Sequence, residues 1–461
     1  PPPRREQGAG QGAGQGAAPL DVVVDLTGRS AARIAAGPLG RGAAGAPRHG
    51  TWRLTAHRPG AGFAEAMTGA GLTEVALLDD RQRVIGRARY GTKPITSRNA
   101  AYCAEKAVQM VMRALAELHL TGAVPQQAGP APGEPVAPGP AMALGYVPRL
   151  ARALGQRAGT TAARRLGLRP GPFHLRLCPG GPLDFDPARG RTLAPPPGHG
   201  QADPFVFVHG GTPHVFYEEY GPTGRGVLKV ARLEDGRLVE LGQPIAADHH
   251  LSFPFVFAAE GEIWMMPETI AAGRLETWRA VEFPLRWEPA GRAFEADAPG
   301  DCALFHHEGR WWLFANRCAD SFGDFCSELH LFRVDGPRLR EVVPHPLNPV
   351  VIDSATARGA GRVWSEGGRI YRASQDNSHS AYGWGLNVME ITRLDGSGYS
   401  ERRVRHVTPD FAPGVIGCHH LDVVGDHVLI DVRYRFGRSA RRERGGHAAA
   451  PPALGAGRLS P

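Results

Sequence analysis

Between Asp203 and His419 one hairpin pattern is written five times. Each copy has a polar or small residue, an apolar run, a glycine-containing turn and a return strand. The copies are "DPFVFVHGGTPHVFYEE" from Asp203, "FPFVFAAEGEIWMMPE" from Phe253, "DCALFHHEGRWWLFAN" from Asp301, "AGRVWSEGGRIYRASQD" from Ala360 and "HHLDVVGDHVLIDV" from His419. Their starts advance by about 50 to 60 residues, room for the four strands of one propeller blade. Five copies predict a mainly β chain built on a five-bladed β-propeller. A β-sandwich also brings strands at short, regular spacing, but it has no reason to repeat one hairpin five times.

The segments outside the repeat differ in texture. Residues 1–19 form a Gly/Ala/Gln arm without the side chains for a core. Residues 20–120 read as a small α/β unit: "LDVVVDLTG" is a β-branched strand, and "TEVALLDD" with "RVIGRARYG" makes a hairpin. A helix then places Ala104, Val108, Val111, Leu115 and Leu118 at helical spacing behind Ser97 as N-cap. Residues 121–172 form a linker, a Pro-rich spacer followed by a basic amphipathic helix over Pro148–Leu166. That helix lacks the Trp and Phe anchors of an interfacial helix, so a solvated face is the simpler reading and peripheral membrane contact the alternative. The propeller takes residues 173–434, and a basic tail, 435–461, ends the chain.

Composition closes off several function classes. The formal charge of +8 rests on arginines scattered among Ala, Gly and Pro, with only Lys93, Lys106 and Lys229 as lysines. Nucleic-acid binding needs clustered charge, so no nucleic-acid partner is expected. Six cysteines with no C-x-x-C pair argue against a disulfide scaffold or structural zinc. Cys318 and Cys326 are spaced to bridge a loop in an oxidising compartment, though free thiols are the simpler reading. The start, "PPPRREQGAGQGAGQG", has no apolar core and is not a signal peptide. No apolar run is long enough to span a bilayer, and a cytoplasmic protein is the default expectation.

In a propeller the innermost strand of every blade lines one channel, so the residues that open those strands converge on one mouth. These are Asp203, Ser252 with His250 before it, Asp301, Arg358 with Arg362, and His419 with His420. Such a ring suits a polar ligand such as a sugar or phosphosugar, although a polar ring also lines a water-filled channel. Glycosidic chemistry needs two carboxylates on opposite faces of the sugar, and Asp203 with Asp301 is the natural pair. Alone, an Asp before a Pro is more readily a turn former than a catalyst, and it is the converging ring that brings the catalytic reading level with it. Glu218, Glu268 and Asp376 are further acids near the blade edges, with Gln375 beside the last. "SQDNSHSAYGWGLNV" sets amides and acids next to Tyr382 and Trp384, a mixture suited to a sugar platform or to blade packing. The His pairs at 249/250, 306/307 and 419/420 have no helical H-x-x-x-H partner. Neither a metal nor a cofactor is expected.

The motifs "ADPFVF…FYEE", "HLSFPFVF…GEIWMMPE", "HPLNPVVID", "ARGAGRV" and "YRASQD" occur in this order across residues 173–434. Together they resemble the N-terminal domain family of plant glucosamine inositolphosphorylceramide transferase and its bacterial relatives. That family is similar to the five-bladed propellers of arabinanases, levansucrases and invertases, which implies a carbohydrate ligand. In those enzymes acids from the first, third and fourth blades cooperate. Asp203 and Asp301 match the first two, but the fourth-blade position reads Ala360, Gly361, Arg362. A plain glycoside hydrolase does not fit, and Glu268 or Asp376 would have to substitute. Residues 20–120 resemble the later part of formyltransferase domains, with Arg53 and Thr55 of "GTWRL" where those enzymes carry Asn-x-His. They read as an inactive or truncated remnant.

The expectation is a carbohydrate-active propeller acting in glycosyl transfer or glycan modification, glycosyltransferase-like or glycoside-hydrolase-like. Asp203, Asp301 and Glu268 would be catalytic; His250, Ser252, Arg358, Arg362, Gln375, Asp376, His419 and His420 would bind substrate. The partner would be a sugar, a nucleotide sugar or a glycolipid head group, with mouth arginines favouring an anionic donor. The alternative is a non-catalytic sugar-binding module that presents substrate to a partner enzyme. A protein-interaction propeller would instead show apolar patches on the blade face and no converging polar ring.

Overall fold

The computed structural model describes residues 21–26, 47–165, 171–193, 195–221 and 224–434. The arm at 1–19 and the tail at 435–461 lie outside the described residues.

The N-terminal unit is a four-stranded sheet in chain order, Val23–Asp25, Thr51–Leu54, Leu72–Leu78 and Val84–Gly91, whose first pair is parallel. Helix α1 (Phe63–Thr68) precedes the hairpin, and helix α2 (Thr96–Thr121) covers the sheet. Trp52, Leu54, Val75, Leu77, Ile85 and Tyr90 from the sheet meet Tyr102, Cys103, Ala107 and Met110 of α2 in one core. Helical spacing held for α2, and Val111, Leu115 and Leu118 of the expected stripe reach the core, but the buried face is wider and partly polar. Val108 is exposed, while Asn99, Cys103, Lys106, Met110 and Ala114 face inward. Its N-cap residue is Ile95 and not Ser97, and no side chain caps it there. Asn99, inside the first turns, ties the preceding loop to the sheet: its Oδ1 accepts the Lys93 N–H at 2.8 Å and its amide donates to Gly62 O and Thr73 Oγ1. Arg53 lies 3.5 Å from Asp25, and Thr55 Oγ1 accepts the Ala76 N–H, so both residues hold the sheet together.

Helix α3 runs Pro140–Arg165, well before its expected start, with Pro148 inside it. It lies against α1, where the Tyr146 hydroxyl donates to Pro94 O and Arg149 donates to Met67 O. Among the described residues, no helix is long and apolar enough to cross a membrane.

Five antiparallel sheets follow. Blade 1 runs outward from Gly200–His209 through Thr212–Tyr220 and Gly226–Glu234 to Arg237–Gly242. Blade 2 is Ser252–Ala259, Glu262–Glu268, Leu275–Glu282 and Arg286–Ala293; blade 3 is Gly300–His307, Arg310–Asn316, Glu328–Val334 and Val342–Pro344. Blade 4 is Gly359–Glu366, Arg369–Asp376, Gly385–Asp395 and Gly398–Val407. Blade 5 joins the two ends of the domain: Leu421–Val424 and His427–Tyr434 pair with Phe173–Pro179, which pairs with Arg191–Leu193. That pairing closes the ring, so no blade is left with an open inner edge. Each repeated hairpin forms the two inner strands of its blade. Apolar side chains fill the space between blades, with Phe205, Phe253, Phe255, Trp264 and Leu313 in one continuous cluster.

Candidate active site at the propeller mouth

The strands that open on the mouth share one backbone device. In blades 1 to 4 the pairing of the two inner strands slips at the start, between Ala202 and Phe205, Ser252 and Phe255, Gly300 and Ala303, and Gly359 and Val363. At each slip one residue has positive φ: Asp203 at 52°, Phe253 at 47°, Asp301 at 47° and Gly361 at 139°. Left-handed backbone is costly for a residue with a Cβ, and a bulge re-aims the side chain it carries. Asp203, Phe253, Asp301 and Gly361 are therefore equivalent positions of four blades, and Ser252 stands one residue earlier.

The fourth-blade acid is missing for a steric reason. A Cβ on Gly361 would lie 2.2 Å from the Leu421 carbonyl oxygen. Blade 5 presses too close for any side chain there.

Asp203 is buried among blade 5 groups. Its N–H donates to Asp431 Oδ2 (3.1 Å), its Oδ2 accepts the Phe253 N–H (3.3 Å), and its Oδ1 lies 3.6 Å from His420 Nδ1 and 3.9 Å from His419 Nε2. Burial alone would raise its pKa, but His420, His419 and Arg358 outweigh burial and lower it to about 2. His419 is held in place by Asp431, whose Oδ2 lies 2.6 Å from Nδ1, and by Phe173 stacked on its ring at 4.1 Å. Burial works against its positive charge, yet Asp431, Asp203 and Asp301 raise its pKa. Asp431 also accepts the N–H groups of His419 and His420. Ligand atoms of Asp203, His419 and Asp431 fall within 4.8 Å of one another, a set able to hold a cation. Their side-chain contacts here are close charge contacts, 2.6 Å between Asp431 and His419 Nδ1 and 3.9 Å between Asp203 and His419 Nε2.

Asp301 sits among different partners. Its Oδ2 accepts from Arg358 Nε (2.5 Å) and Gln375 Nε2 (3.3 Å), and its N–H donates to Glu268 Oε2 (3.2 Å). Arg358 also lies 3.7 Å from Glu268, which accepts from the Ser252 hydroxyl. Burial, reinforced by the Glu268 and Asp203 charges, overcomes Arg358 and raises the Asp301 pKa to about 7. The two carboxyls of the mouth are thus driven apart, one ionised and one holding its proton near neutrality.

The remaining candidates divide. Gln375, Glu268, Ser252 and Arg358 join Asp301; His419 and His420 join Asp203. His250 stands at the half-exposed rim, accepting the Gly226 N–H and 3.7 Å from Glu218. Arg362 turns from the mouth into the channel, where it forms two bonds to Asp422 and lies over Phe205 and Phe255. Asp376 is bound to His406 and to the Ser378 N–H, apart from both carboxyls. All six cysteines are free thiols.

Two groups escaped the sequence reading. Asp431 lies on the return strand "HVLIDV", and aligning the return strands would have set it beside Glu218 and Glu268. Cys326 accepts from Arg358 at 3.9 Å and belongs to a loop that the N-terminal unit braces. In that brace Lys106 lies 2.9 Å from Asp320 and 2.5 Å from Glu328, and the Tyr102 hydroxyl donates to Asp324. The same unit holds the loop with Tyr382, since Gly71 O accepts the His379 N–H and Thr92 O accepts from Ser380. Tyr382 in turn lies over Arg358 at 5.0 Å and edge-on to His419 at 5.2 Å.

Two curated relatives are called glucosamine inositolphosphorylceramide transferase 1: one from Arabidopsis thaliana, 35% identical over 48% of this chain and 30% of its own length, and one from Oryza sativa subsp. japonica, 35% identical over 43% and 27%. The chain therefore spans less than a third of the curated relatives it matches. They overturn the cytoplasmic expectation, because their name is that of a transferase of inositolphosphorylceramide, a membrane lipid, whereas the expectation rested on a missing membrane span. Among solved structures, a family 117 glycoside hydrolase of Zobellia galactanivorans is similar with TM-score 0.38 and 13% identity, covering 57% of this chain and 90% of that one. An α-L-arabinanase of Cellvibrio cellulosa has TM-score 0.33 and 15% identity, covering 44% and 77%. The formyltransferase likeness of residues 20–120 finds no support in these matches. Residues 193–423 match the family described as glucosamine inositolphosphorylceramide transferase 1, N-terminal, and the chain belongs to that family.

Proposed function

We propose that the mouth acts on a carbohydrate, in glycosyl transfer or glycan modification. The observation that carries this reading is the pair of bulge carboxyls, Asp203 lowered to about 2 and Asp301 raised to about 7. Two titratable groups pushed apart by their surroundings provide a base and an acid in one site. Asp203, ionised and aligned by Asp431 and the histidines, would accept a proton from a sugar hydroxyl. Asp301 would donate one, with Gln375 and Arg358 fixing its orientation. Glu268 would position Arg358, and Ser252, His250, His419 and His420 would line the bound sugar, with Tyr382 covering its ring.

The expected preference for an anionic donor loses its footing in the mouth. Arg358 is shared by Asp301 and Glu268, and Arg362 is engaged by Asp422. Neutral hydroxyls suit what remains. The name of the relatives makes inositolphosphorylceramide the first acceptor to try.

A second reading is a non-catalytic sugar-binding module, favoured by Gly361, which closes the fourth-blade position to an acid. One experiment separates the two. Turnover of nucleotide sugars and glycosides by the full chain is compared with that of Asp203→Asn, alongside direct sugar binding. Turnover lost in the variant supports the enzyme; unchanged turnover with sugar still bound supports the module.

A further inference from the structure

Between the N-terminal unit and the outer strands of blade 4 lies a second concavity, of about 440 Å³. Four guanidinium groups line it: Arg87 and Arg89 from the strand Val84–Gly91, Arg113 from α2, and Arg403 from the strand Gly398–Val407. Only two carboxylates, Asp353 and Glu401, share the lining.

Both carboxylates are already engaged. Asp353 accepts from Arg89 Nε at 2.9 Å and from the Ala355 N–H at 2.8 Å. Glu401 takes Arg372 in two bonds, 2.6 and 2.7 Å, and the Tyr399 hydroxyl as well. Arg87 is paired with Glu74 and donates to Pro130 O.

Arg113 and Arg403 are left. Arg113 spends one amino group on the carbonyls of Val350 (2.8 Å) and Pro349 (3.4 Å), and Arg403 spends one on the Asn387 side-chain oxygen (3.3 Å). Among the described residues, neither has an ion-pair partner. Each keeps its Nε and second amino group for another acceptor, and the two come from the two units that form the cleft.

We propose that this cleft binds a small phosphorylated ligand of sugar-phosphate size. A cleft with an excess of one sign of charge concentrates ions of the other, and a guanidinium presents its donors in the fork that phosphate oxygens accept. The Glu117 charge reaches Arg113 from its own helix, but neither guanidinium has a direct ion-pair partner, and two such groups favour a dianion over a single carboxylate. The volume lies within the range of small-ligand sites, about 300–1,000 Å³. Met389 and Val351 give the lining an apolar side, and Thr356 and Ser400 give it hydroxyls for the sugar portion. The ligand would straddle the joint between the two units.

The test is calorimetric titration of the full chain with inorganic phosphate, glucose 1-phosphate and phosphatidylinositol vesicles. Glucose 1-phosphate is expected to bind, weakened about tenfold or more by Arg113→Gln and by Arg403→Gln, as loss of a charge-assisted bond implies. Arg403 is exposed on an outer strand, so its variant reads binding even if Arg113→Gln fails to fold. Arginine-dependent binding of the vesicles alone would keep the phosphate chemistry and assign it to a lipid head group. No binding of any probe, or binding that both variants retain, overturns the proposal. So does binding abolished by Asp203→Asn, which would put the ligand in the mouth.

Discussion

The α-carbon of Gly361 faces the carbonyl oxygen of Leu421 so closely that an added Cβ would stand 2.2 Å from it. This contact between blades 4 and 5 leaves no room for an acid at the blade 4 position. Gly361→Asp is expected to destabilise the chain by about 2–4 kcal/mol, through the clash and the forced positive φ, and to add no turnover. Urea unfolding measures it. A variant within about 0.5 kcal/mol of the parent would show that blade 5 yields, and the steric account would fail.

Lys106 is fully buried between Asp320, Asp324 and Glu328, joining the N-terminal unit to the blade 3 loop that carries Cys326. Removing the cation alone strands buried carboxylates, so Lys106→Met should cost about 3–5 kcal/mol. Adding Asp320→Asn and Glu328→Gln should recover much of that loss. If the triple variant is as unstable as the single one, packing and not charge holds the joint.

The same lysine shows where sequence reasoning stops. A helix pattern assigns Lys to the surface, and the acids that bury Lys106 come from a loop 214 positions or more away. The inner hairpins were legible because each carries its own apolar run, turn and return strand. The outer strands were not, since strands such as Arg286–Ala293 are largely exposed and keep little apolar signal. Closure of blade 5 by Phe173–Pro179 is a pairing between segments far apart in the chain and has no local signature. Asp203 and Asp301 were legible as strand openers. Arg362 was not, because its direction is set by Asp422 in another blade. Ser97 looked like a cap, yet the helix starts at Thr96 behind Ile95 with no side-chain cap, and the Thr96 N–H donates to the Tyr146 hydroxyl of a helix far along the chain.

Tyr382 is 41% exposed and contacts Arg358 and His419 through its ring. Tyr382→Ala should weaken sugar binding about threefold to tenfold while leaving the melting temperature close to the parent's, as loss of an aromatic face at a rim predicts. Tyr382→Phe should restore binding. Equal affinity in all three proteins would remove Tyr382 from the site.

The opposed carboxyls give the mouth a definite pH response. Asp301 has its pKa raised from 3.8 to about 7, so its contribution to stability is full below 3.8 and is lost as pH rises through about 7. Asp203 is lowered from 3.8 to about 2, so its contribution is present above 3.8 and is lost as pH falls through about 2. Any binding or turnover that uses the Asp301 proton should therefore decline as pH rises through about 7, while Asp203 stays ionised throughout. Asp301→Asn keeps the neutral form at every pH and should flatten the alkaline decline in both melting temperature and ligand affinity. Asp203→Asn should leave that alkaline limb in place and soften the acid one. An alkaline limb that persists unchanged in Asp301→Asn would assign the proton to another group and remove Asp301 as the acid of the pair.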